Sequence, residues 1–217
     1  MSSSSIVVFG AGGRAGRHTV AEAVARGHRV TAVVRDPAGY TDLAGAGVTI
    51  VAGDVTRADS VAEVAAGHDA VISAAGRLDM PSDEFYVSAA HALLDGLARA
   101  GVGRLVLIGI GSTLETAPGV AVHDAPGFPE EARAFSLGHT AELDALRAAE
   151  TDIDWLVVAP PPVMLDNEVP RTGRYRTGGE QVIADGAPSF SYADLAVALI
   201  DEIETPKHHR SLTAVAG

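Results

Sequence analysis

The stretch that most constrains this chain is Gly10-Ala11-Gly12-Gly13-Arg14-Ala15-Gly16, which directly follows the apolar run Ile6-Val7-Val8-Phe9 and opens a segment of helical composition. A buried strand, a glycine turn and a helix N-terminus together make a phosphate cradle. Glycines at 10, 13 and 16 supply the tight turn, the close backbone approach to a pyrophosphate and the close helix-to-sheet packing, while the first N–H groups of the helix face the anion. Gly12, Arg14 and Ala15 complete the loop as candidate contacts. The spacing is G-x-x-G-x-x-G, not the commoner G-x-G-x-x-G, so the inference depends on context. That context agrees. Thr19 to Ala25 continue as a helix closed by Arg26-Gly27, and a second apolar strand follows at Val30-Thr31-Ala32-Val33-Val34. The whole is a βαβ unit of about 30 residues, the size a dinucleotide fingerprint needs.

The alternation continues to the end of the chain. Val48 to Val51, Asp69 to Ser73, Arg104 to Ile108, Asp154 to Val158 and Ser211 to Val215 read as further strands. Helices are expected near 57 to 66, 84 to 100, 130 to 149 and 192 to 202. Strands separated by helices of this length predict an α/β fold, a doubly wound and mostly parallel sheet with helices on both faces. Residues 1–217 are expected to form one domain. Two stretches rich in Pro and Gly, 109 to 129 and 159 to 187, break the rhythm. Both leave strands at the carboxyl edge of the sheet, where ligands of such folds bind, so they are expected to form the substrate side.

Composition narrows the chemistry. There is no cysteine, which excludes thiolate metal sites, thiol nucleophiles and disulfides and fits a cytoplasmic setting. With 28 acidic against 16 basic residues the formal net charge is −12, which argues against nucleic acid and anionic membrane surfaces as partners. The start, Met1-Ser2-Ser3-Ser4-Ser5, lacks the basic region of a signal peptide, and no apolar run nears the roughly 18 residues of a membrane span.

Arg35 follows the second strand, where an acidic residue holds the ribose 2′-hydroxyl of NAD; an arginine there suits the 2′-phosphate of NADP. Asp36 beside it blurs the choice, and the expectation is NADP(H) over NAD(H). Asp54-Val55 follows the third strand, and Asp54 either accepts from an adenine amine or caps the helix beginning near Arg57. Ala74-Ala75-Gly76 ends the fourth strand with residues small enough for backbone to lie against a ribose or pyrophosphate, or simply to make a tight turn.

With these pieces in place the chain resembles the atypical, or extended-like, short-chain dehydrogenase/reductases, and within them the NmrA-like, NADH-flavin-reductase-like and biliverdin IXβ reductase groups. Further blocks carry that resemblance: Val34-Arg35-Asp36-Pro37, Gly53-Asp54-Val55, Gly109-Ile110-Gly111-Ser112 with Leu114, Asp154-Trp155 with Ala159-Pro160-Pro161, Arg171-Thr172-Gly173-Arg174-Tyr175, and Ser191-Tyr192-Ala193-Asp194-Leu195-Ala196. It implies a Rossmann core binding NAD(P), Pro160 among the cofactor contacts, and a small C-terminal part covering the substrate. One departure bears on mechanism. Short-chain reductases typically pair tyrosine with a lysine four residues later, but here Tyr40, Tyr86, Tyr175 and Tyr192 lack that partner and the single lysine is Lys207. Phe135 and His139 show the corresponding spacing, which makes His139 a candidate general acid; Ser112 is a candidate hydrogen-bonding group for nicotinamide or substrate.

Leu114, Phe128, Met164 and Tyr175 are expected to form an apolar substrate pocket, with Arg171 and Arg174 meeting an anionic group. His18, His28 and His68 are expected to face solvent, His91 and His123 are candidates for the cleft, and no histidine spacing predicts a metal. The resulting expectation is an NAD(P)H-dependent oxidoreductase reducing a flavin, quinone or other conjugated small-molecule acceptor, as a monomer or homodimer. The alternatives are a redox sensor that binds the dinucleotide without turnover, and an NAD(P)-dependent epimerase or dehydratase.

Overall fold

The computed structural model describes residues 3–163, 165–187 and 189–217. Its main sheet has eight strands in the order β10-β12-β8-β5-β4-β1-β2-β3. These are β1 (Ser5–Phe9), β2 (Arg29–Val34), β3 (Val48–Ala52), β4 (Ala70–Ser73), β5 (Arg104–Ile108), β8 (Asp154–Ala159), β10 (Arg176–Thr177) and β12 (Ser211–Ala216). All neighbours pair in parallel except β10, which runs antiparallel to β12. The expected doubly wound, mostly parallel sheet is the one observed.

Every residue of β1 and β4 is buried, as a central parallel strand covered on both faces requires. Alternate side chains enter two different cores. Val7, Phe9, Leu105, Leu107, Trp155 and Val157 join helices α2 (Ala58–Ala65), α3 (Ser82–Ala100) and α4 (Glu130–Ala148). Ile6, Val8, Val106, Leu156 and Val158 join α1 (Arg14–Ala25) and α5 (Tyr192–Glu204) on the opposite face. Helix α1 stops at Gly27, whose φ of 85° allows its N–H to donate to Val24 O and that of His28 to Ala23 O.

Both irregular stretches acquire structure through pairing. Within 109–129, β6 (Glu115–Ala117) and β7 (Val120–Ala121) form a hairpin; within 159–187, β9 (Leu165–Asp166) pairs with β11 (Phe190–Ser191). Glu115 N donates to Glu180 O and Val182 N to Glu115 O, both at 2.9 Å, so the two stretches are joined at the carboxyl edge. His28 departs from its expected solvent position. It is buried, accepting from Ser4 N at Nδ1 and lying 3.1 Å from Glu204 through Nε2. Among the described residues no helix is long and apolar enough to cross a membrane.

Candidate functional site

Chain geometry at the end of β1 explains the glycines. Gly10 leaves the strand with φ at 72°, and a Cβ there would stand 2.5 Å from Ala74 O. A Cβ on Gly16 would overlap Gly10 O, so glycine at 16 lets α1 seat directly on the loop. Gly13 is the N-cap of α1 and brings no side-chain cap, and no acidic residue stands in the first turn. The leading N–H groups of α1 are therefore left for an anion.

A cleft of about 210 Å³ opens over this loop, lined by Gly10, Gly12 and Gly13, by Arg35, Asp54 and Val55 after β2 and β3 on one side of β1, and by Ala74, Ala75 and Gly76 after β4 on the other. Arg14, Ala15, Gly16 and Pro160 do not line it. Gly16 acts through packing, Arg14 is exposed with its guanidinium 5.6 Å from the Tyr192 ring, and the Pro160 carbonyl lies against Gly111. Tyr40, Arg77 and Phe85 also line the cleft and carry no local sequence signal. Tyr40 reaches it from the turn Pro37–Leu43 after β2, its ring lying on Gly12.

The charged residues sort by partner. Asp36 accepts from Ala38 N at 3.1 Å and caps that turn. Asp54 accepts from Thr56 N at 2.9 Å and Thr56 Oγ1 at 2.7 Å, while its own N–H donates to Ser60 Oγ, so its carboxylate closes a turn ahead of α2. Partial burial pushes the Asp54 carboxyl up, but the Thr56 hydrogen bonds and the nearby Arg77 and Arg57 charges hold it below the usual range. Arg77 grips Asp79 through two hydrogen bonds of 2.7 and 2.6 Å, which hold the Asp79 carboxyl at about 2. Arg35 is 4.0 Å from the same carboxylate.

Behind Gly76 lies an aromatic cluster between α3 and α4. His139 is buried there with its ring centroid 3.8 Å from that of Tyr86, and its Nδ1 is 3.3 Å from Glu142 Oε2. Burial raises the Glu142 carboxyl, against the pull of His139. His139 thus lies neither on the surface nor on the lining of the cleft, and the general-acid expectation receives no geometric support from its position. Ser112 sits in the turn Gly111–Thr113, 2.7 Å from Ser136 Oγ, whose hydroxyl donates to Ala132 O; buried His123 contacts Ser112 O at 2.8 Å through Nδ1. His123 braces the Ser112 turn and does not line the cleft, and His91 is exposed on α3.

Among the described residues the side chains expected to line an apolar pocket are not brought together. Leu114 is fully buried in the core under α3 and α4, whereas Tyr175 packs on the opposite core and donates to Asp201 at 2.7 Å. Met164 lies outside the described residues. Arg171 pairs with Glu22 on α1 at 2.8 Å, and Asp194 accepts from Thr172 N, Gly173 N and Thr172 Oγ1. The blocks 171–175 and 191–196 are therefore two halves of one clamp that ties the long loop to α1 and α5. Among the described residues no group of three or more His, Cys, Asp or Glu is placed to hold a metal ion.

Residues 10–206 match the protein family described as NAD(P)H-binding. A solved structure from Burkholderia pseudomallei, named as a candidate exported protein, is 38% identical with a TM-score of 0.86 and covers 99% of this chain and 100% of its own. A candidate epimerase from Bacteroides thetaiotaomicron is 34% identical with a TM-score of 0.87, over 99% and 97%. A candidate NADH-flavin reductase from Streptococcus pneumoniae is 29% identical with a TM-score of 0.84, over 98% and 99%. Their names diverge while the fold does not, so any reaction has to be argued from the site.

Proposed function

The chain belongs to the NAD(P)H-binding family, and from that membership we propose that it is an NADPH-dependent reductase of a flat, conjugated small molecule such as a flavin or a quinone. The observation that carries the cofactor choice is the end of β2. Arg35 lines the cleft, while the adjacent Asp36 does not, its Oδ1 accepting from Ala38 N in the next turn. A guanidinium at that place favours a 2′-phosphate. The residues fit a dinucleotide: Gly12 and Gly13 present bare backbone to the cleft, and α1 points an uncapped N-terminus at it. When bound, the reduced nicotinamide supplies hydride.

The acceptor class rests on what the chain leaves out. No tyrosine carries a lysine four residues on, and the histidine at the matching spacing is enclosed between α3 and α4. A conjugated acceptor can take its proton from water, so a positioned acid is optional. Ser112 is proposed to orient the nicotinamide amide or the acceptor, and the name of the Streptococcus relative supports the same acceptor class. A reducing cytoplasm is the setting such a reductase needs, and the cysteine-free composition suits it.

The test is acceptor-dependent loss of the reduced-nicotinamide absorbance with NADPH plus FMN, riboflavin or a quinone. Turnover with at least one of them is expected. Tight NADPH binding without turnover across the panel would overturn the reductase reading in favour of a dinucleotide-binding sensor, which the enclosure of His139 also favours. Cofactor retained through purification would point to an epimerase or dehydratase.

A further inference from the structure

Tyr86, in the first turns of α3, is only 5% exposed. Its ring meets Phe85 edge-on at 5.0 Å, Phe135 edge-on at 5.9 Å and His139 at 3.8 Å between centroids. Three neighbours of this kind would hold a phenylalanine equally well, so packing alone does not account for the hydroxyl. A phenol kept from water without a partner carries a free-energy cost of its own.

The hydroxyl has no hydrogen-bond partner among the described residues. It is nonetheless not sealed in: among those residues, Arg104 Nε is the polar side-chain atom that is both fully enclosed and without a partner. The hydroxyl therefore keeps some exposure; Tyr86 is not itself on the cleft lining, but its nearest wall is. Its oxygen would stand 3.1 Å from a Cβ at Gly76, and Gly76 lines the cleft. Glycine at 76 leaves the phenol uncovered.

The order of strands says which part of a ligand comes here. β2 with Arg35 lies on one side of β1, and β4 with Gly76 lies on the other. If the adenosine half of a dinucleotide extends toward Arg35, the β4 side receives the nicotinamide half. We propose that the Tyr86 O–H donates a hydrogen bond to the nicotinamide-ribose half of the bound dinucleotide. This rests on the reading of the cleft as a dinucleotide site, and it supplies a hydroxyl where Phe135 on α4 has none. Burial, and then the Glu142 carboxylate, raise the Tyr86 phenol, so it remains a donor throughout the physiological range. His139 backs the ring and fixes its orientation as a positioning residue.

The experiment is calorimetric titration of the wild type and Tyr86→Phe with NADPH and with 2′,5′-ADP, which carries the 2′-phosphate and lacks the nicotinamide half. Loss of one hydrogen bond should weaken NADPH by about three- to tenfold and leave 2′,5′-ADP unchanged. Unchanged NADPH affinity, or an equal loss for both ligands, overturns the assignment of Tyr86. A wild type that binds neither ligand instead removes the dinucleotide reading, and the inference falls with it. Should Tyr86→Phe fail to fold, Gly76→Ala is the second variant: its methyl covers the hydroxyl and should give the same selective loss, and equal affinity for NADPH would contradict the proposal.

Discussion

Arg35 and Asp36 are neighbours in the chain and opposites in use, because one side chain faces the cleft and the other closes the next turn. Replacing Arg35 with Ala should lower affinity for NADPH about tenfold, the low end for a charge-assisted hydrogen bond because the group is exposed and shares Asp79. NADH affinity should stay within about twofold, measured by calorimetry, since NADH lacks the phosphate that the guanidinium would engage. Equal losses for both nucleotides would contradict the assignment. Residues whose role is written in backbone sterics were legible beforehand: Gly10 and Gly16 must lack a Cβ whatever else surrounds them. Asp54 left two readings open, an adenine partner or a helix cap; its Oδ1 closes a turn with Thr56 ahead of α2, whose N-cap is Arg57, so it is not the cap, and it lines the cleft. Tyr40, Arg77 and Phe85 gave no signal because their place at the cleft is set by how a turn and a helix start fold back over β1 and β4, which no local spacing encodes.

The pairing of α3 with α4 encloses a carboxylic acid that the sequence reading did not weigh. Desolvation raises Glu142 in the folded state, so the protonated form is favoured there relative to the unfolded chain. Stability from such a shift is present below the unfolded value of about 4.3 and is lost as pH rises toward the folded value. Glu142→Gln keeps an acceptor for His139 and cannot ionise. Its melting temperature should match wild type near pH 4 and exceed it by a margin that grows as pH rises and levels off once the wild-type carboxyl has ionised; a difference that does not change with pH from 4 upward would show that Glu142 stays charged without penalty. The long strands and helices were readable as apolar runs alternating with helical stretches, and their observed bounds follow those stretches. Two-residue strands such as β9 and β10 were not, since so short a segment has no period and exists only through its partner. The failed pocket has the same origin. Leu114 and Tyr175 share a loop-rich, apolar character but lie on opposite faces of the sheet, and loop composition does not report which face a residue will reach.

At the scale of the molecule, strand and helix alternation was sufficient to predict a parallel, doubly wound sheet, and the observed order reverses direction between β1 and β4. Ligands of such sheets bind at that switch point, and the cleft over Gly10 and Ala74 lies there. The acceptor was far less legible, because the loops that would shape its site contribute a clamp and core residues. A formal charge of −12 makes a nucleotide an unfavourable visitor at long range, so its capture depends on the few cationic groups and the helix terminus at the cleft. The most direct measurement is therefore a calorimetric titration of the purified protein with NADPH and, separately, with NADH. Saturable one-site binding of NADPH, about tenfold or more tighter than NADH, is the predicted result; failure of both nucleotides to bind would contradict the assignment of this cleft as a dinucleotide site.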